Sequence, residues 1–231
     1  MSLATANRST GTSPGVADIV SSVLASVDSR RSFAAPYQHH FVDGFFPAAV
    51  ADELADLPFR APSLDGVSGK RELHNDTRSY FDEANMGRFP VMAQVAEALQ
   101  LPGVIGHFAK AFDAPLDNTY LRLEYAQDID GFWLEPHTDL GVKKFTCLIY
   151  LSQGPGHETL GTDIYASKTE HVGASPFIRN AAMIFVPGPD TWHGFEARPI
   201  KGVRKSVILN YVTPEWRARE QLSYPDQLIR L

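Results

Sequence analysis

The stretch YLRLEYAQDIDGFWLEPHTDLGVKKFTCLIYLS, residues 120–152, decides the fold. It contains three short runs rich in β-branched and aromatic residues, separated by segments with Asp and Gly. Four similar runs follow, divided by Gly- and Pro-rich turns. The predicted strands are 120–126, 133–139, 144–152, 162–166, 182–187, 192–197 and 204–213. Short, evenly spaced strands predict a sandwich or barrel and argue against an α/β sheet.

The sequence before residue 118 has a different pattern. Residues 1–15 are small and polar, which predicts a disordered tail. Apolar residues at helical spacing from residue 16 onward predict a first helix, and further helices are predicted at 48–57, 90–99 and 103–113. Residues 40–46 predict a short strand and turn. We therefore expect an α+β chain with a mainly β core.

The expected organisation is a single domain over residues 16–231. Its parts are an N-terminal helical part at 16–117, a core at 118–213, and a C-terminal helix and tail at 214–231. The helices of the first part are expected to support the β core.

Composition excludes several classes of protein. The 231 residues are 44% hydrophobic and 21% charged, which is ordinary for a globular protein. The net charge of -6 argues against a nucleic-acid partner. No apolar run approaches the ~18 residues of a membrane span. The single cysteine, Cys147, cannot form an internal disulfide, and no secretory signal is visible, so we expect a cytoplasmic protein. Oligomeric state stays open.

The motif His137-Thr138-Asp139 carries the first chemical signal. Residues two apart on a strand project to the same side, so the imidazole and the carboxylate can share one metal ion. His193 begins a later strand after a tight turn and fits as the third ligand. Two histidines and one carboxylate on one face leave the opposite positions open, as in non-haem Fe(II) oxygenases.

Arg204 and Ser206 give the second signal, because they are again two residues apart on one predicted strand. A guanidinium fork binds a carboxylate through two hydrogen bonds, and the serine hydroxyl adds a donor. This pair suits the distal carboxylate of 2-oxoglutarate.

A second H-x-D sequence occurs at His74 and Asp76, in a loop-rich segment. Between this sequence and the motif at 137–139 there is one histidine that could serve as a third ligand, His107. It lies in a predicted helix and not in a strand. Eleven residues beyond His107 stands Asn118, where the other set has Arg204. We therefore select His137, Asp139 and His193 as the metal ligands.

Together these residues resemble the Fe(II)/2-oxoglutarate-dependent dioxygenases, and the prolyl-hydroxylase-like branch most closely. The branch resemblance extends to LEY at 123–125 and FTCLIYL at 145–151, and to Gly161, which lies where that branch often has a glycine pair. It implies a double-stranded β-helix, a jelly-roll variant. It also implies Fe(II) on His137, Asp139 and His193, and 2-oxoglutarate held by Arg204, Ser206, Tyr125 and Tyr150.

The resemblance further implies that the protein consumes O2, releases succinate and CO2, and hydroxylates a substrate. Related halogenases lack the metal-binding carboxylate, so the presence of Asp139 favours hydroxylation. The substrate is either peptidyl or a small molecule. The alternative function is a jelly-roll protein that binds a metal or ligand without turnover, against which Arg204 and Ser206 argue. Arg78 and Tyr80 fit either the mouth of the site or, slightly better, a surface strand.

Overall fold

The computed structural model describes residues 14–64, 78–139 and 141–231. Within these ranges, the helices are α1 (Val16–Asp28), α2 (Ala48–Ala55), α3 (Glu83–Arg88), α4 (Pro90–Gln100) and α5 (Pro102–Phe112). The strands are β1 (Arg31–Phe33), β2 (His39–Val42), β3 (Ser79–Tyr80), β4 (Tyr120–Asp128), β5 (Leu134–His137), β6 (Lys143–Tyr150), β7 (Asp163–Ser167), β8 (Glu170–Ala174), β9 (Ala182–Phe185), β10 (His193–Phe195) and β11 (Arg204–Val212).

The strands form two sheets in which every described pairing is antiparallel. The larger sheet has the order β1-β2-β9-β6-β11-β4-β3, and the smaller has the order β5-β10-β7-β8. Strand β11 lies between β6 and β4 in the larger sheet, and it pairs with β4 from Arg204↔Asp128 to Val212↔Tyr120. The chain is thus a mostly antiparallel β structure with a few helices.

Each face of the larger sheet packs against a different partner. On one face, Leu123, Ile149 and Leu209 share a core with apolar residues of the helices, such as Val95 and Phe108. On the other face, β-sheet residues including Leu148, Met183 and Phe185 share a second core with Ile164 and Phe195 of the smaller sheet. Alternating side chains therefore serve the two cores, and each buried large apolar side chain contributes roughly 1.5–3 kcal/mol.

The predicted helices at 90–99 and 103–113 are confirmed to within one residue. Pro90 and Pro102 each stand in the first turn, where a missing backbone N–H costs nothing. Helix α5 ends because Asp113 adopts a left-handed backbone conformation with φ of 50°. The first helix and the helix that follows Pro47 are also confirmed.

The structure corrects the prediction for the C-terminal tail. The predicted C-terminal helix within 214–231 is absent from this described segment, which forms only a 3₁₀ turn at Arg219–Gln221. The tail instead forms bridges to β4 through Arg122↔Leu222, and to the residue before β4 through Thr119↔Ile229. Pro214 and Pro225 interrupt helical hydrogen bonding, and strand-like bridges satisfy part of the tail backbone.

The part predicted as helical also supplies three strands. Strands β1, β2 and β3 form the two ends of the larger sheet, and of these only β2 overlaps a predicted strand. Strand β8 and helix α3 were also not predicted. The His74–Asp76 motif lies outside the described residues, as do residues 1–13 of the predicted disordered tail. None of the helices in the described ranges is long and apolar enough to cross a membrane.

Candidate metal centre and the adjoining cavity

His137 and His193 meet because their strands pair. Strand β10 runs antiparallel to β5 with His193 directly opposite His137, and the two ring centroids lie 4.4 Å apart. The pairing requires a close backbone approach beside His193. A Cβ on Gly194 would stand 2.8 Å from the carbonyl oxygen of Leu134, a distance that real Cβ atoms avoid. Glycine at position 194 therefore permits the two histidines to share one site.

Asp139 completes the group just beyond the end of β5. Potential ligand atoms of His137, Asp139 and His193 all lie within 4.8 Å of one another. Asp139 and His193 are buried, and His137 is half-buried. The structure thus brings together the three residues that the sequence predicts as metal ligands.

Backbone carbonyls orient both imidazole rings. His137 Nδ1 lies 2.9 Å from the carbonyl oxygen of Glu135, and His193 Nδ1 lies 2.9 Å from that of Thr191. A carbonyl oxygen only accepts, so each Nδ1 is the donor. In a neutral imidazole, Nε2 then carries the lone pair that a metal needs. This donor set fits a divalent transition metal such as Fe(II).

Two buried side chains hold the Asp139 carboxylate. Lys143 Nζ donates to Oδ1 at 2.5 Å, and the Thr146 hydroxyl donates to Oδ2 at 2.6 Å. Both donors lie on β6, which follows the metal motif along the chain. Each carboxylate oxygen has more than one lone pair, so these bonds still allow Asp139 to bind a metal.

Arg204 and Ser206 lie on the face of β11 that points toward the smaller sheet. Arg204 Nε donates to the Leu160 carbonyl oxygen at 2.8 Å, and Nη1 donates to Asp128 Oδ2 at 2.6 Å. The guanidinium carbon lies 4.7 Å from the centroid of the Phe195 ring. Arg204 and Ser206 are both buried, yet both line the cavity that the metal group lines.

This cavity lies between the two sheets. Apolar side chains from both sheets form much of its wall, and they limit the water that reaches the charged groups. The apolar lining residues are Ala126, Phe132, Leu134, Leu148, Phe195 and Ile208. The cavity therefore combines a potential metal group, an arginine that pairs with Asp128, and a largely apolar wall.

Neither predicted tyrosine lines this cavity. Tyr125 faces the helices, with its ring centroid 5.3 Å from that of Phe59. Burial raises the pKa of Tyr125, and its hydroxyl has no hydrogen-bond partner among the described residues. Tyr150 faces the smaller sheet, but its hydroxyl lies 2.9 Å from Thr162 Oγ1. Tyr125 thus lies on the opposite face of the sheet from the cavity. Tyr150 contacts Thr162, which lines the cavity, but does not line the cavity itself.

Arg78 is a cavity residue for which the sequence slightly favoured a surface position. Its side chain is only 8% exposed, and its Nη1 lies 2.7 Å from Asp128 Oδ1. Burial alone would lower the pKa of Arg78, but the charges of Asp128 and Glu124 raise it above its ordinary value. The signal in the sequence is the alternation of charge on one face of β4 (Arg122, Glu124, Asp128), because buried carboxylates require nearby cations.

A continuous chain of buried polar contacts joins the metal group to the arginine of the cavity. It consists of hydrogen bonds and ion pairs, and every member has a charged or polar neighbour on each side. The chain runs through Asp139, Thr146, Asn210, Arg122, Glu124, Arg78, Asp128 and Arg204. Such a network restrains the positions of its side chains.

The chain is similar to known proteins in structure, whereas the sequence comparisons found no match. No model of a known protein family matches the chain, and no curated protein matches it. A prolyl 4-hydroxylase from Phytophthora capsici matches in structure with a TM-score of 0.58 and 13% identity, over 91% of this chain and 69% of that chain.

Two further solved structures are similar. One is a prolyl hydroxylase from Trichoplax adhaerens in complex with a hypoxia inducible factor oxygen degradation domain peptide fragment, with a TM-score of 0.55, 13% identity and coverage of 87% of this chain and 91% of that chain. The other is a viral collagen prolyl hydroxylase from Paramecium Bursaria Chlorella virus-1 as a 2OG complex, with a TM-score of 0.52, 13% identity and coverage of 76% and 96%. The chain therefore shares the fold of prolyl hydroxylases.

Proposed function

We propose that this protein is an Fe(II)- and 2-oxoglutarate-dependent dioxygenase of the prolyl-hydroxylase-like branch, with a jelly-roll core. In this proposal it hydroxylates a substrate and releases succinate and CO2. One observation carries the proposal: His137, Asp139 and His193 form a group with metal-ligand spacing in the same cavity as Arg204. The likeness in fold to prolyl hydroxylases supports it.

In this function, Nε2 of His137, Nε2 of His193 and a carboxylate oxygen of Asp139 would hold Fe(II). The carbonyl contacts at both Nδ1 atoms support that role, since they fix the tautomer and the ring orientation. When bound with 2-oxoglutarate and O2, the iron supplies the oxidising chemistry, and the protein supplies orientation and exclusion of water. Lys143 and Thr146 orient the carboxylate.

Arg204 would bind the distal carboxylate of 2-oxoglutarate, with Ser206 adding a hydroxyl donor. Its Nε and Nη1 are fixed by Leu160 and Asp128, so the guanidinium needs little reorganisation to receive a ligand. We do not assign a direct contact to Tyr125, because it lies on the far face of the sheet. Tyr150 would act indirectly, by positioning Thr162, which lines the cavity.

The substrate in this proposal is peptidyl or a small molecule. The Trichoplax adhaerens neighbour was solved with a peptide fragment, which supports the peptidyl class. Arg204 and Ser206 in the cavity argue against the non-catalytic alternative, a jelly-roll protein that only binds a metal or ligand. Turnover is the measurement that separates the two functions.

The test is 2-oxoglutarate turnover by the purified protein with Fe(II), measured as succinate formed. We expect succinate from the wild type and none above background from His137→Ala. His107→Ala is the matched control, because His107 lies on α5 and pairs with Asp28 outside the cavity. Fe(II) binding without succinate, across candidate peptides and small molecules, would favour the non-catalytic alternative.

A further inference from the structure

We propose that Arg78 is a positioning residue for the cosubstrate: it shares the charge of Asp128 and so leaves Arg204 able to bind a second carboxylate. The inference rests on the function proposed above, in which Arg204 receives the distal carboxylate of 2-oxoglutarate. Arg78 acts in this proposal through Asp128 and needs no contact with the ligand.

Asp128 lies between two guanidinium groups. Its Oδ1 is 2.7 Å from Arg78 Nη1, and its Oδ2 is 2.6 Å from Arg204 Nη1. The side chains of the three residues are between 2% and 9% exposed, and all three line the cavity. One buried carboxylate thus divides its two oxygens between two buried cations.

Arg78 is held in place by contacts other than Asp128. Its Nη1 donates to the carbonyl oxygen of Gln127 at 3.1 Å, and its Nε lies 3.5 Å from Glu124 Oε1. Its guanidinium carbon lies 5.4 Å from the centroid of the Phe132 ring. Arg78 is therefore a fixed positive charge beside Asp128, and the ligand need not place it.

The charges of the cluster explain why a second cation is needed. Asp128 and Arg204 alone would form a neutral pair, and Asp128 would repel any carboxylate brought to Arg204. Glu124, which also contacts Arg78, forms a further neutral pair with Arg122. Arg78 therefore leaves the cluster with one net positive charge, which complements one incoming carboxylate. Within the described residues, the hydrogen bonds of Arg204 use Nε and Nη1, so Nη2 can serve the ligand.

The experiment measures 2-oxoglutarate binding by calorimetry on Mn(II)-loaded protein without O2. The variants are Arg78→Met, Asp128→Asn and the double variant. We expect Arg78→Met to weaken 2-oxoglutarate binding by about tenfold, because the variant loses the positive charge that offsets repulsion of the ligand by Asp128. Asp128→Asn keeps an oxygen acceptor for Arg204 and removes the repelling charge, so binding should stay equal or tighten. The double variant should recover most of the lost affinity.

Two readouts separate positioning from a general structural effect. Mn(II) affinity should be unchanged in all variants, because the metal group lies elsewhere in the cavity. Arg198→Met is the matched control: Arg198 also pairs with a buried aspartate, Asp163, but does not line the cavity. It should bind 2-oxoglutarate like the wild type. If Arg78→Met does not fold, Arg78→Gln takes its place with the same expected weakening.

The outcomes distinguish this inference from the proposed function. A metal-loaded wild type that does not bind 2-oxoglutarate would overturn the proposed function itself. A wild type that binds, with equal binding by the Arg78 variant, would overturn only the role of Arg78. A double variant as weak as the single Arg78 variant, or a weakened Asp128→Asn, would show that Asp128 does not compete for Arg204 and would also overturn the inference.

Discussion

His193 on β10 stands directly opposite His137 on β5, with their ring centroids 4.4 Å apart. The two residues are distant in sequence, and the pairing of two short strands alone brings them together. Asp139, two residues beyond the end of β5, then completes the group. The account of this protein depends on that pairing, and the predictions below begin with it.

Gly194→Ala should disturb the histidine pair. The new Cβ would press on the carbonyl oxygen of Leu134, and neither backbone can move away cheaply. We expect a loss of about 1–3 kcal/mol in the free energy of unfolding, as for overpacked sites. Affinity for Mn(II) should fall as well.

Gly106→Ala is the control for this substitution, because a Cβ there meets nothing within 4 Å and the residue lies in α5. Its stability should stay equal or rise by about 0.5–1 kcal/mol. Denaturant unfolding measures both variants. Equal stability of Gly194→Ala and wild type would contradict the close approach of β10 to β5.

Metal-ligand variants should differ from each other in stability. His137→Ala should abolish Fe(II) binding and turnover, with far-UV circular dichroism retained. Asp139→Ala should do the same but also unfold more easily, by about 1–3 kcal/mol, because Lys143 and Thr146 lose their acceptor. Metal binding and thermal unfolding are measured on both. Retained 2-oxoglutarate turnover in either variant would contradict the assignment.

Arg204→Met should raise the 2-oxoglutarate requirement while leaving Fe(II) binding intact. Loss of a charged contact of about 1.5–3 kcal/mol corresponds to a rise in KM of roughly ten- to a hundredfold. The KM for 2-oxoglutarate is compared with the Fe(II) dissociation constant. An unchanged KM would mean that another residue binds the distal carboxylate.

Tyr125→Phe should leave 2-oxoglutarate affinity unchanged, because Tyr125 packs against the helices and not the cavity. Its buried hydroxyl has no hydrogen-bond partner among the described residues, so removing it should raise stability by up to about 1 kcal/mol. Calorimetry and thermal unfolding check the two statements. Weaker 2-oxoglutarate binding by this variant would contradict this prediction and would support the direct contact that the family resemblance implies.

His40 should make stability depend on pH. Burial, with smaller effects of Arg30 and His39, lowers the pKa of His40 from 6.5 to about 4. Between these values the unfolded chain binds a proton that the folded chain excludes. The contribution of His40 to the free energy of unfolding should therefore fall as pH drops below about 6.5, and level off below about 4.

The check on His40 is denaturant unfolding of the wild type and His40→Gln between about pH 7 and about pH 4. The variant lacks the titrating ring, so its stability should vary less across this interval. An equal pH dependence in the two proteins would show that other groups carry the effect.

The sequence predicts the core strands well because each of them has its own local signal. All seven predicted strands of the core correspond to strands in the structure, and the spacing of His137, Asp139, His193 and Arg204 places them in one cavity. Strand β3 escapes prediction because it has only two residues. Strand β8 escapes because its sequence, EHVGA, is largely exposed and lacks an apolar alternation.

The environment of the site is less predictable, because it depends on long-range pairing. Which face of β4 receives Tyr125 follows from its register with β11, and this register sets Asp128 opposite Arg204. The burial of Arg78 follows from the pairing of β3 with β4. The charges on β4 indicate that cations lie nearby, but which residues supply them depends on long-range pairing, so the Arg78–Asp128–Arg204 cluster is visible only in the structure.

The most direct test of the central claim is anaerobic titration of the protein with Fe(II) and 2-oxoglutarate, followed by visible absorption. The resemblance to 2-oxoglutarate oxygenases implies a weak charge-transfer band that requires both components. We predict this band in the wild type and its loss in His137→Ala. Folded, iron-bound wild-type protein that gives no band on addition of 2-oxoglutarate would contradict the account.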